Sequence, residues 1–218
     1  MMKLQKLLEE RITYKTRAGV ELWLNTCKIK KYTINEDLTV DVNGDVSIKN
    51  KHILFLPIKF GVVTGNFSIT KCMLHSLEGA PREVGEHFYC FANKLTSLEG
   101  GPREVGENFN CADNNLTSLK GAPREVGKNF DCDNNNLTSL EGAPREVGVN
   151  FSCRSNKLTS LEGGPREVGG SFFCGNNKLT SLEGGPREVG GDFDCSNNKF
   201  KEEPDHSRIN IGGIFKWK

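Results

Sequence analysis

Apolar residues in this chain recur at a spacing of 21, neither the 3.6 of a helix nor the 2 of a long strand. The pattern L-x-S-L-x-G-x-P-R-E-V-G-x-x-F-x-C-x-x-N-x is written six times, starting at Leu74, Leu95, Leu116, Leu137, Leu158 and Leu179. Self-similarity at such a period marks a solenoid or array. One unit carries five apolar side chains, Leu95, Leu98, Val105, Phe109 and Cys111 in the second copy. That is too little burial to offset the ordering of its backbone, so a unit can stand only against its neighbours. Phe-x-Cys has period two and predicts a very short strand with Phe109 and Cys111 pointing inward. In-register stacking at about 4.8 Å over eight coils predicts a parallel sheet about 34 Å long. The return segment Leu-x-Ser-Leu-x-Gly-x-Pro has no helical period, so it is expected to run extended. Gly79 and Gly85, repeated in each clear unit, predict backbone turns that glycine makes at least cost. Asn93, Asn114, Asn135, Asn156, Asn177 and Asn198 predict a buried amide ladder serving backbone groups of their own and the adjacent coil.

The rest of the chain reads as ends fitted to that array. Residues 2–11 suggest an amphipathic helix, and Thr16 can cap a second one running to about Cys27, with Val20, Trp23, Leu24 and Cys27 as its buried stripe. Asn43-Gly44 is a hairpin signal. However, Val42 to Ile48, shifted by 21, matches Val63 to Ile69, and that matches Val84 to Cys90. Two degenerate coils are the favoured reading over an isolated hairpin, because end repeats are atypical. After Asn198 the register fades, and the tail RINIGGIFKWK is expected to close the stack with Ile209, Ile211, Ile214, Phe215 and Trp217. The organisation is therefore a helical cap at 1–30, degenerate coils at 31–73, six repeats at 74–199 and a C-terminal cap at 200–218.

A net charge of +1 offers no general attraction to nucleic acid or anionic membrane, and no basic stripe is visible. The N-terminus lacks the apolar core of a secretory signal, and no apolar run is long enough to span a membrane, so a cytoplasmic setting is expected. Six of the eight cysteines (Cys90, Cys111, Cys132, Cys153, Cys174 and Cys195) occupy one repeat position. Stacked rungs would lie within disulfide reach. In a reducing setting buried free thiols are favoured over disulfides or a metal. The four histidines fall in no metal-spaced or nucleophile motif, so neither an enzyme nor a cofactor is expected. The Arg-Glu pairs, from Arg82-Glu83 to Arg187-Glu188, read as two charged ladders on a solvated edge.

Variation between units points to a candidate surface. Scaffold positions are copied almost unchanged, while three rows around the strand vary. They are Tyr89, Asn110, Asp131, Ser152, Phe173, Asp194, then Phe91, Ala112, Asp133, Arg154, Gly175, Ser196, then Ala92, Asp113, Asn134, Ser155, Asn176, Asn197. Such rows face solvent on the concave or flat side of a stack, the surface repeat proteins use for binding. Tyr89 and Phe91 read as an exposed aromatic pair, Asp113, Asp131 and Asp133 as an acidic patch, with Arg154 and Phe173 beyond it. Aromatics among charges suit a protein interface. Duplication followed by drift is the competing explanation.

F-x-C-x-x-N-x-L-x-x-L resembles the leucine-rich-repeat signature L-x-L-x-x-N-x-L, with Phe and Cys in place of two leucines. The short period and Pro-containing return are similar to the compact repeats of bacterial effectors. The LTSLEGAPREVG…F-x-C-x-N-N variant, with YTINEDLTVDVNGDVSI before it, resembles leucine-rich-repeat-like proteins of tailed phages and some bacteria. The resemblance covers about residues 32–200. It implies a leucine-rich-repeat-like solenoid with a small helical cap and a protein-binding surface. In a phage setting it also implies inhibition of a host defence protein in the host cytoplasm. The ubiquitin-ligase activity of some bacterial effectors is not carried over. A sponge for a nucleotide or other small molecule and a structural assembly module are the alternative functions.

Overall fold

The computed structural model describes residues 14–218, so the expected helix at 2–11 lies outside the described residues. The described residues form a parallel β-solenoid of about eight turns with one short helix before it. That helix, α1 (Arg17–Thr26), starts where Thr16 Oγ1 accepts the Gly19 amide at 3.2 Å. It buries Val20, Trp23 and Leu24 but leaves Cys27, at its C-cap, half-buried rather than buried, and the Trp23 ring meets Phe60 edge-on at 6.1 Å. The helix thus covers the first coil with its apolar stripe.

The entry segment folds as β1 (Tyr32–Ile34), β2 (Thr39–Val42), β3 (Val46–Lys49), β4 (Lys59–Val63) and β5 (Phe67–Thr70). Each clear repeat then contributes two two-residue strands. The first is Glu-Val: β6 (Glu83–Val84), β8 (Glu104–Val105), β10 (Glu125–Val126), β12 (Glu146–Val147), β14 (Glu167–Val168) and β16 (Glu188–Val189). The second starts at the Phe: β7 (Phe88–Tyr89), β9 (Phe109–Asn110), β11 (Phe130–Asp131), β13 (Phe151–Ser152), β15 (Phe172–Phe173) and β17 (Phe193–Asp194). The tail supplies β18 (Asn210–Ile211) and β19 (Phe215–Lys216).

These strands form two sheets rather than the single one expected. The Val sheet has ten strands, β1-β2-β4-β6 through β18, and the Phe sheet has nine, β3-β5-β7 through β19. Every pairing is parallel except β1 with β2, an antiparallel hairpin joining Tyr32 to Val42 that the sequence reading did not contain, and β2 shifts register against β4 between Val40 and Val42. Asn43-Gly44 is a corner between the sheets, since β2 and β3 do not pair, so the coil reading holds over the isolated hairpin.

The core follows from the repeat. Seven phenylalanines from Phe67 to Phe193 are fully buried and stack as near-parallel rings 5.1–5.4 Å apart. That spacing is set by the rung separation of a parallel sheet. The Val, Cys and Leu columns fill the rest of the cross-section. All eight cysteines are free. Burial pushes the ladder thiols up, Cys195 to about 12 and Cys111, Cys132, Cys153 and Cys174 far from thiolate.

The asparagine ladder serves the backbone as expected. Asn135 Oδ1 accepts the Leu116 amide at 3.0 Å, and its Nδ2 donates to the Cys111 and Cys132 carbonyls at 3.1 Å. The two glycine columns divide in their reason. Gly79 and its equivalents have φ of 77–93°, a true left-handed turn. Gly85 and its equivalents do not. There a Cβ would collide with the carbonyl oxygen of the coil before, as at Gly127 against Gly106, so close approach excludes a side chain.

The tail also departs from expectation. Instead of folding across the end, it adds a further rung, with Ile211 paired to Val189 and Phe215 to Phe193. The Phe215 ring lies 5.8 Å from Phe193, His206 stacks on it at 3.9 Å, and Ile214 is 71% exposed.

Candidate functional site

The outward row of the Phe sheet runs in register through Tyr89, Asn110, Asp131, Ser152, Phe173 and Asp194, ending at Lys216. One coil earlier Ser68 and Thr70 occupy the equivalent positions and are buried, which separates Tyr89 from the exposed Ser47 and Lys49 of the coil before that. Two-residue strands put alternate side chains on opposite faces, which is why Phe goes in and its successor out.

Tyr89 and Phe91 are half-buried rather than exposed. Tyr89 stacks on His87 at 5.4 Å and meets Phe91 edge-on at 6.3 Å. Phe173, also half-buried, carries the Arg154 guanidinium 3.8 Å above its ring. Four rungs, about 19 Å, separate Phe173 from Tyr89. The three aromatics therefore form two patches and not one cluster.

The acidic patch lies between them and is bound into the backbone. Asp131 accepts from Asn110 Nδ2 and from the Asp133 amide, both at 3.0 Å. Asp133 accepts from Ser152 Oγ and the Arg154 amide, both at 2.6 Å. Burial pushes the Asp131 carboxyl up to about 6, reinforced by Asp133 and Asp113 and opposed by Arg154. Burial raises Asp133 as well, against its hydrogen bonds from Ser152 and Arg154. Arg154 also reaches Asp194 at 3.6 Å and Ser152 Oγ at 3.4 Å. At Asp194 burial acts upward, but hydrogen bonds from Ser196 and the charges of Lys216 and Arg154 leave the carboxyl below its usual range.

Part of the row variation is therefore conformational. Asn110, Asp131 and Asp194 each accept the amide two residues on, closing the turn after the strand. The third row, Ala92, Asp113, Asn134, Ser155, Asn176 and Asn197, sits at φ of 54–56°. Asn and Asp are the side chains that tolerate that conformation best. Asp113 is exposed, but its residue type is accounted for by its backbone.

A second polar ladder escaped the sequence reading. Asn66, His87, Asn108, Asn129, Asn150 and Ser171 each accept the amide of the equivalent residue one coil later, at 2.8–3.2 Å. The signal was present: every residue in that column has a side-chain acceptor.

The Val sheet has its own feature. A groove of about 1830 Å³ runs along it, lined by the Glu column from Glu83 to Glu188, with Arg103 and Arg124 at its wall. The Gly85-type column also lines it and leaves bare backbone there. Among the described residues no group of three or more His, Cys, Asp or Glu is placed to hold a metal ion. No helix among them is long and apolar enough to cross a membrane. No protein-family model, no curated protein and no solved structure matches this chain.

Proposed function

We propose that this chain is a non-enzymatic scaffold that recognises a partner protein through the outward rows of its Phe sheet. Tyr89 and Phe91 form one contact patch, and Arg154 over Phe173 forms the other, with Asp113, Asp131 and Asp133 between them. The observation that carries the reading is the contrast within one chain. The inward columns repeat coil after coil, while the outward side chains differ and stand in one strip on a rigid stack. The Asp131 and Asp133 carboxylates are held by hydrogen bonds, and the Arg154 guanidinium by Ser152 Oγ and the Phe173 ring, so little side-chain freedom is lost on contact. In the setting that the leucine-rich-repeat-like resemblance implies, the partner is a host protein whose surface is occluded, and the site of action is the host cytoplasm.

The test is affinity capture from host lysate with the wild type beside Tyr89→Ala/Phe91→Ala, each checked for an intact fold. A protein retained by the wild type and lost with the variant supports the reading. Equal recovery by both removes Tyr89 and Phe91 from the site, and equal recovery with Arg154→Ala/Phe173→Ala as well removes the site from the Phe sheet.

A further inference from the structure

The Val-sheet face carries two charge columns that the reading above does not use. Arg82, Arg103, Arg124, Arg145, Arg166 and Arg187 make one, and the glutamates that follow each of them make the other. All twelve residues are exposed. The glutamates are stacked in register, Glu125 on Glu146, then Glu167, then Glu188. The arginine backbones are likewise joined rung to rung, as where the Arg145 amide donates to the Arg124 carbonyl at 2.9 Å. Like charges therefore repeat at about 4.8 Å along each column, which is unfavourable. Among the described residues no ion pair joins the two columns or relieves either one. Both end together, giving way to Gly61 and Val62 at one side and to Asn210 at the other.

We propose that this face is where two copies of the chain associate, side by side and pointing the same way, about a two-fold axis parallel to the stack. Charge and pitch select that occupant. An extended peptide repeats its same-side residues at about 6.6–6.8 Å and drifts out of step with a 4.8 Å column. A second copy has the same pitch at every rung. Rotation about an axis along the stack exchanges left and right without shifting height, so each Arg column faces the partner's Glu column, rung for rung. An axis across the stack would set Arg against Arg. The groove gives the shape: the glutamates lie along it, arginines stand at its wall, and bare glycine backbone leaves room for a partner's guanidinium. Guanidinium and carboxylate are geometrically matched for this pairing, and such an interface is isologous. Six rungs span only about 24 Å, so the association is weak and salt-dependent.

Sedimentation velocity on the full chain tests this. The wild type is expected to show a monomer–dimer equilibrium, weakened tenfold or more between 50 mM and 500 mM salt. Arg124→Glu/Arg145→Glu/Arg166→Glu and Glu125→Arg/Glu146→Arg/Glu167→Arg should each be monomeric, with circular dichroism like the wild type. Mixed in equal amounts, they should form a heterodimer, since three all-acidic central rungs then meet three all-basic ones. That rescue would not follow from damage to the fold. Tyr89→Ala/Phe91→Ala should dimerise like the wild type, which separates this inference from the Phe-sheet reading. A wild type monomeric at all concentrations overturns it, as does a dimer that neither triple variant weakens, or a mixture that stays monomeric. A monomer that instead binds a poly-lysine peptide gives the face to a basic chain and likewise refutes self-association.

Discussion

Replacing Asn135 by Ala removes one rung of the amide ladder from the middle of the stack. The wild-type side chain is 7% exposed. It satisfies the Leu116 amide of the preceding coil and donates to the carbonyls of Cys111, Cys132 and Asp133. The Asp133 carbonyl keeps a second partner in the Asp113 amide, so its loss is small. The Cys111 and Cys132 carbonyls keep the side-chain amides of Asn114 and Asn156, so only the Leu116 amide is left beside buried apolar side chains with no substitute. An orphaned buried group costs about 1–3 kcal/mol. That one group, together with the small void, puts the cost at about 2–4 kcal/mol. Asn198 makes the same bonds at the last clear repeat but is only half-buried, so water can replace it. Asn198→Ala should cost about 1–2 kcal/mol. Urea unfolding followed by circular dichroism measures both. If Asn135→Ala lies within 1 kcal/mol of the wild type, or if the two variants are equally destabilised, the amide ladder does not hold adjacent coils together.

Three further outcomes follow from the same geometry. Gly127→Ala drives a Cβ into the Gly106 carbonyl and should destabilise by more than about 1 kcal/mol, where an unstrained Gly→Ala change would stabilise, read from the urea midpoint. Asp131, raised by burial to about 6 against an unfolded value near 3.9, binds more protons folded than unfolded between those limits. Its contribution is fully present below about pH 4 and is lost as pH rises through 6, so the wild type should lose more stability from pH 5 to 7 than Asp131→Asn does. Identical pH profiles would contradict this. In a native thiol titration the seven cysteines from Cys72 to Cys195 should react only on unfolding, while half-buried Cys27 reacts first; fast modification of several ladder thiols would show that the core is open.

A period of 21 residues was enough to assign the solenoid, because each position meets the same surroundings in every coil. Phe109, Cys111, Leu95 and Asn114 could be placed inward from the repeat alone, and α1 from its cap and stripe. The candidate surface was legible as a set of rows, but the condition of its residues was not. Nothing local to Tyr89 or Phe91 says that His87 stacks beneath the tyrosine. Nor does anything beside Phe173 say that Arg154, nineteen residues earlier, covers it. The second sheet was hidden for a related reason. A Glu-Val pair is too short to show periodicity, and it becomes a strand only because the neighbouring coils present the same pair at hydrogen-bonding distance. The Gly85 column looked like a turn and is instead a point of contact between coils, which no φ preference reveals. The sequence alone determined the repeat, the inward columns and their stacking, since burial recurs with the chain's own period. Only the tertiary structure decided which outward side chains are covered, that both faces are sheets, and where the groove lies, because those depend on what adjacent coils bring together.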